Sequence, residues 1–94
     1  MTREELLMWA ADHIWEYPAL DRLREEVIDG AGFLFLPGKR GIYKGLYLCF
    51  YENSTVYKLR RAGYAVGVVK DYYMAKELLL ECAQFTKKLE AKKQ

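Results

Sequence analysis

Residues 32–52, GFLFLPGKRGIYKGLYLCFYE, constrain this chain more than any other stretch. They read as a β-hairpin. Phe33, Leu34, Phe35 and Leu36 form a short apolar run. Pro37, Gly38, Lys39, Arg40 and Gly41 supply the residue types of a turn. A second, longer strand is expected over 42–51. Side chains alternate along a strand, so Ile42, Leu46, Leu48 and Phe50 share one face with Lys44, and Tyr43, Tyr47, Cys49 and Tyr51 share the other. Both faces are largely apolar. A hairpin of this kind needs cover on both sides, which places it inside a layered α/β domain and away from an open edge.

Helical patterns flank it. Residues 3–16 read as a helix capped by Thr2, with Glu4 and Glu5 at its positive end and Leu6, Ala10, Ile14 and Tyr17 on one stripe. Pro18 breaks that run and can open a second helix. There Leu20, Leu23 and Val27 would be buried, and Asp29-Gly30 would stop it. After the hairpin, Asn53 or Ser54 can cap a third helix through Ala62, ended by Gly63. Residues 64–69 (YAVGVV) then read as a third, β-branched strand. Asp71 caps a last helix with Ala75, Leu78, Leu79, Cys82, Phe85 and Leu89 on its apolar stripe; the basic tail 88–94 is expected to fray. The expectation is one α/β (α+β) domain over 1–94, in the order α-α-β-β-α-β-α. Its three-stranded mixed sheet is flanked by helices, with the third strand parallel to the second through a right-handed crossover.

Composition limits the function classes. A 94-residue chain with 52% hydrophobic content is one small folded domain rather than a disordered segment. No run approaches the roughly 18 apolar residues of a spanning helix. The charged start MTREELL lacks a signal-peptide core. A cytoplasmic protein with no membrane partner is therefore expected. A net charge of +2 is weak support for nucleic-acid binding. Cys49 and Cys82 have no Cys or His neighbours at zinc-ligand spacing and read as buried free thiols.

The ordered set of segments resembles a known family. Residues 59–69 (LRRAGYAVGVV), followed by a helix from Asp71, are similar to the C-terminal half of VRR-NUC domains, the virus-type replication-repair nucleases. Residues 45–48 (GLYL) look like that family's glycine-led catalytic strand, and 33–37 (FLFLP) like the strand before it. Trp9, then residues 17–20 (YPAL), resemble its N-terminal helix and Tyr-Pro exit. The resemblance implies a PD-(D/E)xK nuclease-like fold. In such enzymes an Asp on the first hairpin strand and a Glu on the second hold an oxygen-loving divalent metal at the scissile phosphate. A Lys two residues beyond the Glu steadies the attacking water. Carried onto this sequence, the Asp position falls on Phe33, the Glu position on Cys49 and the Lys position on Tyr51. Phe offers no ligand atom, a lone Cys suits magnesium poorly, and Tyr is neutral at pH 7. The family's Gly-rich, basic insertion before the first hairpin strand is reduced here to residues 29–32 (DGAG).

The resemblance therefore implies a degenerate nuclease: no catalytic residues, no metal site and no cofactor. It would be a phage or mobile-element protein that acts by binding a protein partner, for example as an inhibitor of a host defence nuclease. Eight tyrosines favour an interface. Trp15, Tyr17, Tyr43 and Tyr72 are the interface candidates, and Tyr47, Tyr57, Tyr64 and Tyr73 equally read as rims of the core. By analogy with the family's stand-alone members, a homodimer is a further expectation. Two alternatives stay open. One is a nucleic-acid binder using Lys39, Arg40, Lys44, Lys58, Arg60, Arg61 and Lys70. The other is a magnesium- or manganese-dependent nuclease with relocated ligands, Glu52 with Asp29, Asp12 or Glu16, and His13.

Overall fold

A computed structural model describes residues 1–38 and 43–92. Helix α1 (Arg3–Asp12) begins with a capping box: the Thr2 side chain accepts from the Glu5 N–H, and the Glu5 carboxylate accepts from the Thr2 N–H. It ends four residues earlier than its apolar stripe suggests. His13 Nδ1 lies 2.8 Å from the Trp9 carbonyl and donates to it, and its ring stacks on Trp9 at 5.1 Å. An imidazole that satisfies a last-turn carbonyl closes a helix.

Pro18 opens a single 3₁₀ segment, Pro18–Arg22, and not a second α-helix. The chain then becomes extended, and strand β1 (Arg24–Ile28) pairs antiparallel with β2 (Ala31–Pro37). The sheet consequently has four strands where the sequence suggested three. Asp29-Gly30 is the hairpin turn between β1 and β2: Ile28 pairs with Ala31, and both central residues have positive φ, 52° and 80°. Two-residue turns of that handedness match the natural twist of paired strands, and Asp-Gly is a preferred sequence for them. Val27, expected on a buried helical stripe, is 77% exposed on this strand.

Strand β3 (Gly45–Cys49) pairs antiparallel with β2, with Leu34 opposite Leu48 and Phe35 opposite Tyr47. Residues 39–42, which carry the expected turn and the start of the second strand, lie outside the described residues, as do 93–94. Helix α2 (Ser54–Arg61) is capped by Asn53, whose Oδ1 accepts from the N–H groups of Thr55 and Val56. Gly63 (φ 96°) ends it, and β4 (Ala65–Val68) runs parallel to β3. Asp71 Oδ1 accepts from the Met74 N–H at the start of α3 (Tyr72–Lys92), which is helical over residues 88–92 of the stretch expected to fray.

The strand order is β1-β2-β3-β4, so the β2–β3 hairpin occupies the two inner positions. One face carries Leu34, Leu36, Leu46 and Leu48 against Leu6, Ala75 and Leu79 of α1 and α3. The other carries Phe33, Phe35, Tyr47 and Cys49 against Val56 and Leu59 of α2. The 3₁₀ segment fastens α1 to α3 through Leu20, packed with Ala10 and Ala83. The molecule is a small α+β domain with helices on both faces of a mixed sheet. Among the described residues, no helix is long and apolar enough to cross a membrane.

Candidate functional site

Two of the three positions to which the nuclease resemblance points lie on one face of the sheet, under α2. Phe33 is buried on β2 and meets Tyr47 edge to face, 5.6 Å between ring centres. Cys49 is buried at the end of β3; its thiol donates to the Tyr51 carbonyl at 3.3 Å, and burial raises its pKa, which holds it neutral. Tyr51 lies beyond the strand and is exposed. Phe33 and Cys49 thus belong to one aromatic cluster. Tyr47 stacks on Phe35 at 4.1 Å, and Tyr64 closes on Tyr47 at 5.2 Å.

Tyr47 gives the cluster a polar outlet. The Tyr47 hydroxyl donates to Glu26 at 3.1 Å, and the other Glu26 oxygen accepts from Arg24 at 2.9 Å. Burial first, and then Glu26, push the Tyr47 pKa up to about 12. On the opposite face of the sheet Tyr43 is half-buried, although strict alternation would put it beside Tyr47. It precedes the strand proper and turns toward α3, with its hydroxyl 2.9 Å from Cys82 Sγ and 3.1 Å from Thr86 Oγ1. Burial is the main cause that raises its pKa to about 12 as well.

The sign of the resulting pH dependence follows. Both phenols hold their protons more tightly in the folded chain than at the ordinary value of 10.0. Their contribution is complete below that value and is lost as pH rises through about 12. Chemical-denaturation midpoints are expected to fall over that window, and Tyr47→Phe to flatten part of the fall. A midpoint unchanged up to the upper limit would contradict the buried, neutral state of these phenols.

Next to Phe33, on the α1/α3 face, lies an open cavity of about 230 Å³. Val27, Gly32, Leu34, Leu48, Phe50 and Tyr72 supply its apolar lining, and the Arg3–Glu25 ion pair (2.6 Å) sits at its rim. Phe50 and Tyr72 meet edge to face at 4.9 Å. Phe50 and Val27 were missed as surface residues. The Asp-Gly pair was the available signal: as a hairpin turn it would have made 24–28 a strand and put Val27 at a sheet edge.

The remaining candidates are scattered. Trp15 is 79% exposed after α1. Tyr17 is half-buried, with Gln84 donating to its hydroxyl and the Lys87 ammonium 5.3 Å from its ring centre. Lys44 donates to the Ala62 carbonyl and lies over Tyr64. Lys58 pairs with Asp29 at 3.3 Å, and Arg60 with Glu52 at 3.6 Å. Arg61 and Lys70 are exposed; Lys39 and Arg40 lie outside the described residues. Asp29 also accepts from Thr55, and His13 is engaged with Trp9. Among the described residues, no three His, Cys, Asp or Glu side chains converge as a metal site. No family model matches this chain, and no curated protein or solved structure matches it.

Proposed function

We propose that this chain is a nuclease-like scaffold that no longer cuts and acts by binding another protein. The observation that carries the reading is the state of Phe33 and Cys49. Where the resembled enzymes would hold carboxylates around a metal, these side chains sit in a closed aromatic cluster. A buried carboxylate pair with no cation is costly, whereas each large apolar side chain contributes roughly 1.5–3 kcal/mol when fully buried. Selection for stability therefore favours such fillers once cleavage is dispensable.

Binding is the function left to such a scaffold. The sheet end beside Phe33 offers an apolar cavity whose edges, Val27 and Phe50, are exposed. Large apolar side chains held open at a polar rim are the composition of an interface centre. An inhibitor of a host defence nuclease, carried by a phage or mobile element and working in the cytoplasm, fits this reading. The basic residues named for nucleic acid favour it less, since Lys44, Lys58 and Arg60 are engaged within the molecule.

The test combines capture and cleavage. Wild-type protein is expected to retain a partner from bacterial lysate that Val27→Asp does not, with the thermal midpoint unchanged because Val27 is exposed. Incubation with DNA and magnesium or manganese is expected to give no cleavage. Metal-dependent turnover that disappears in Glu52→Ala, Asp29→Ala or Glu16→Ala would overturn the proposal. So would DNA binding that weakens steeply with salt and is lost in Arg61→Glu.

A further inference from the structure

The two edges of the sheet are not equivalent. On β1, Arg24, Glu25 and Glu26 are all ion-paired, and such charges discourage strand addition. On β4, Ala65, Val66, Gly67 and Val68 carry no charge and no proline. The Val69 N–H donates to the Cys49 carbonyl at 2.7 Å. Backbone groups alternate in direction along a strand, so Val66 and Val68 turn theirs outward. The Arg60 guanidinium reaches the Val66 carbonyl at 3.5 Å; the remaining outward groups have no backbone partner among the described residues.

Beside that edge runs a second cavity, of about 440 Å³, between β4 and α3. Leu46, Ala65, Leu78 and Phe85 line it, and Glu81 stands on its wall. Phe85 is 54% exposed. Tyr43 and Cys82, hydrogen-bonded to each other, complete the lining. An open backbone edge beside an apolar groove suits an added strand: the backbone supplies hydrogen bonds, and alternate side chains enter the groove.

We propose that β4 accepts an extended segment of a partner protein as a fifth strand. The segment would carry a large apolar side chain into the groove and a neighbouring Lys or Arg to Glu81. A second copy of this chain fits poorly. Its own β4 would bring Ala65 and Gly67 to the groove side, because these pair with Leu46 and Leu48, and neither has the bulk to fill it. It would also bring a second Glu81 in place of a cation. The proposal rests on the reading that the chain works by binding protein, but it uses the sheet edge opposite the one that carries Val27.

The two can therefore fail separately. Random displayed peptides are selected on the full chain, and selected sequences are synthesised and titrated calorimetrically. The expected winners alternate apolar and polar residues and include Lys or Arg. Val66→Pro removes an outward N–H that the fold does not use, and Ala65→Arg sets a cation at the groove mouth. Each is expected to weaken binding by about tenfold, the loss of one well-made hydrogen bond or more. Val27→Asp is expected to bind as wild type does. Amide exchange at Val66 and Val68 is expected to slow in the complex. The proposal is overturned if no peptide is selected, if Val66→Pro and Ala65→Arg bind as tightly as wild type, or if Val27→Asp alone weakens binding. Sedimentation of the wild-type chain as a dimer that Ala65→Arg converts to monomer would assign the edge to a second copy and overturn it too.

Discussion

Phe33→Asp is expected to destabilise the fold by about 4 kcal/mol or more, the sum of lost aromatic packing and an unpaired buried carboxyl. In a domain of this size that lowers the thermal midpoint on the order of 15 °C or more. The reason is local. Phe33 is 3% exposed, its ring meets Tyr47, its neighbours Ala31 and Val56 have no donor side chain, and the Cys49 thiol already donates to the Tyr51 carbonyl. Phe33→Leu separates the two causes. It keeps an apolar filler of related volume and is expected to cost about 1.5 kcal/mol or less. Magnesium or manganese is expected to leave the Phe33→Asp midpoint where it is, because one carboxylate among apolar side chains makes no cation site. Recovery of stability on adding either ion would show latent metal affinity, and the idea of a filled and abandoned site would be lost.

Gly45→Ala is expected to be a severely damaging substitution for a single added methyl group. Gly45 has φ +137°, a conformation that side chains rarely adopt. A Cβ there would also lie 2.7 Å from the Leu36 carbonyl oxygen and 2.8 Å from the Phe35 ring. The first contact is with backbone in the central β2–β3 ladder, so relief requires the two inner strands to separate. A cost of about 2–4 kcal/mol is expected from strain and overpacking together. Denaturant titration of Gly45→Ala reads it directly. A midpoint within error of wild type would mean that the chain relaxes there at little cost. Gly67→Ala is a useful contrast. Its added methyl would meet only the side-chain ends of Leu48 and Leu78, at 2.8 and 2.9 Å, which can rotate.

Several structural features were legible because local signals and burial agreed. The alternation of Leu46, Tyr47, Leu48 and Cys49 assigned two apolar faces, and the structure covers one with α1 and α3 and the other with α2. Thr2 and Asp71 cap the helices they were expected to cap, and of the pair Asn53 and Ser54 it is Asn53 that caps α2, since a side-chain oxygen one turn before orphan N–H groups needs no tertiary context. The parallel placement of β4 followed from the strand-helix-strand crossover through α2.

Residues 18–28 were misread because two periods compete there. Leu20, Leu23 and Val27 have helical spacing, but a strand edge is tolerant of charge and exposed valine, so Arg24, Glu25 and Glu26 did not exclude one. What decided was β2. Its outer edge offered hydrogen bonds to any neighbour, and Asp29-Gly30 folded the preceding residues back onto it.

The amino-acid order by itself determined the apolar faces of the two inner strands, the starts of α1, α2 and α3 and the absence of charge at Phe33, Cys49 and Tyr51, because each depends on residue type and near neighbours. Which side chains are open to a partner was decided only by the tertiary structure. Val27 and Phe50 are exposed because the sheet ends beside them, and Phe85 because α3 overhangs the β4 edge. Exposure depends on where covering elements stop, and that is set by packing between segments distant in the chain.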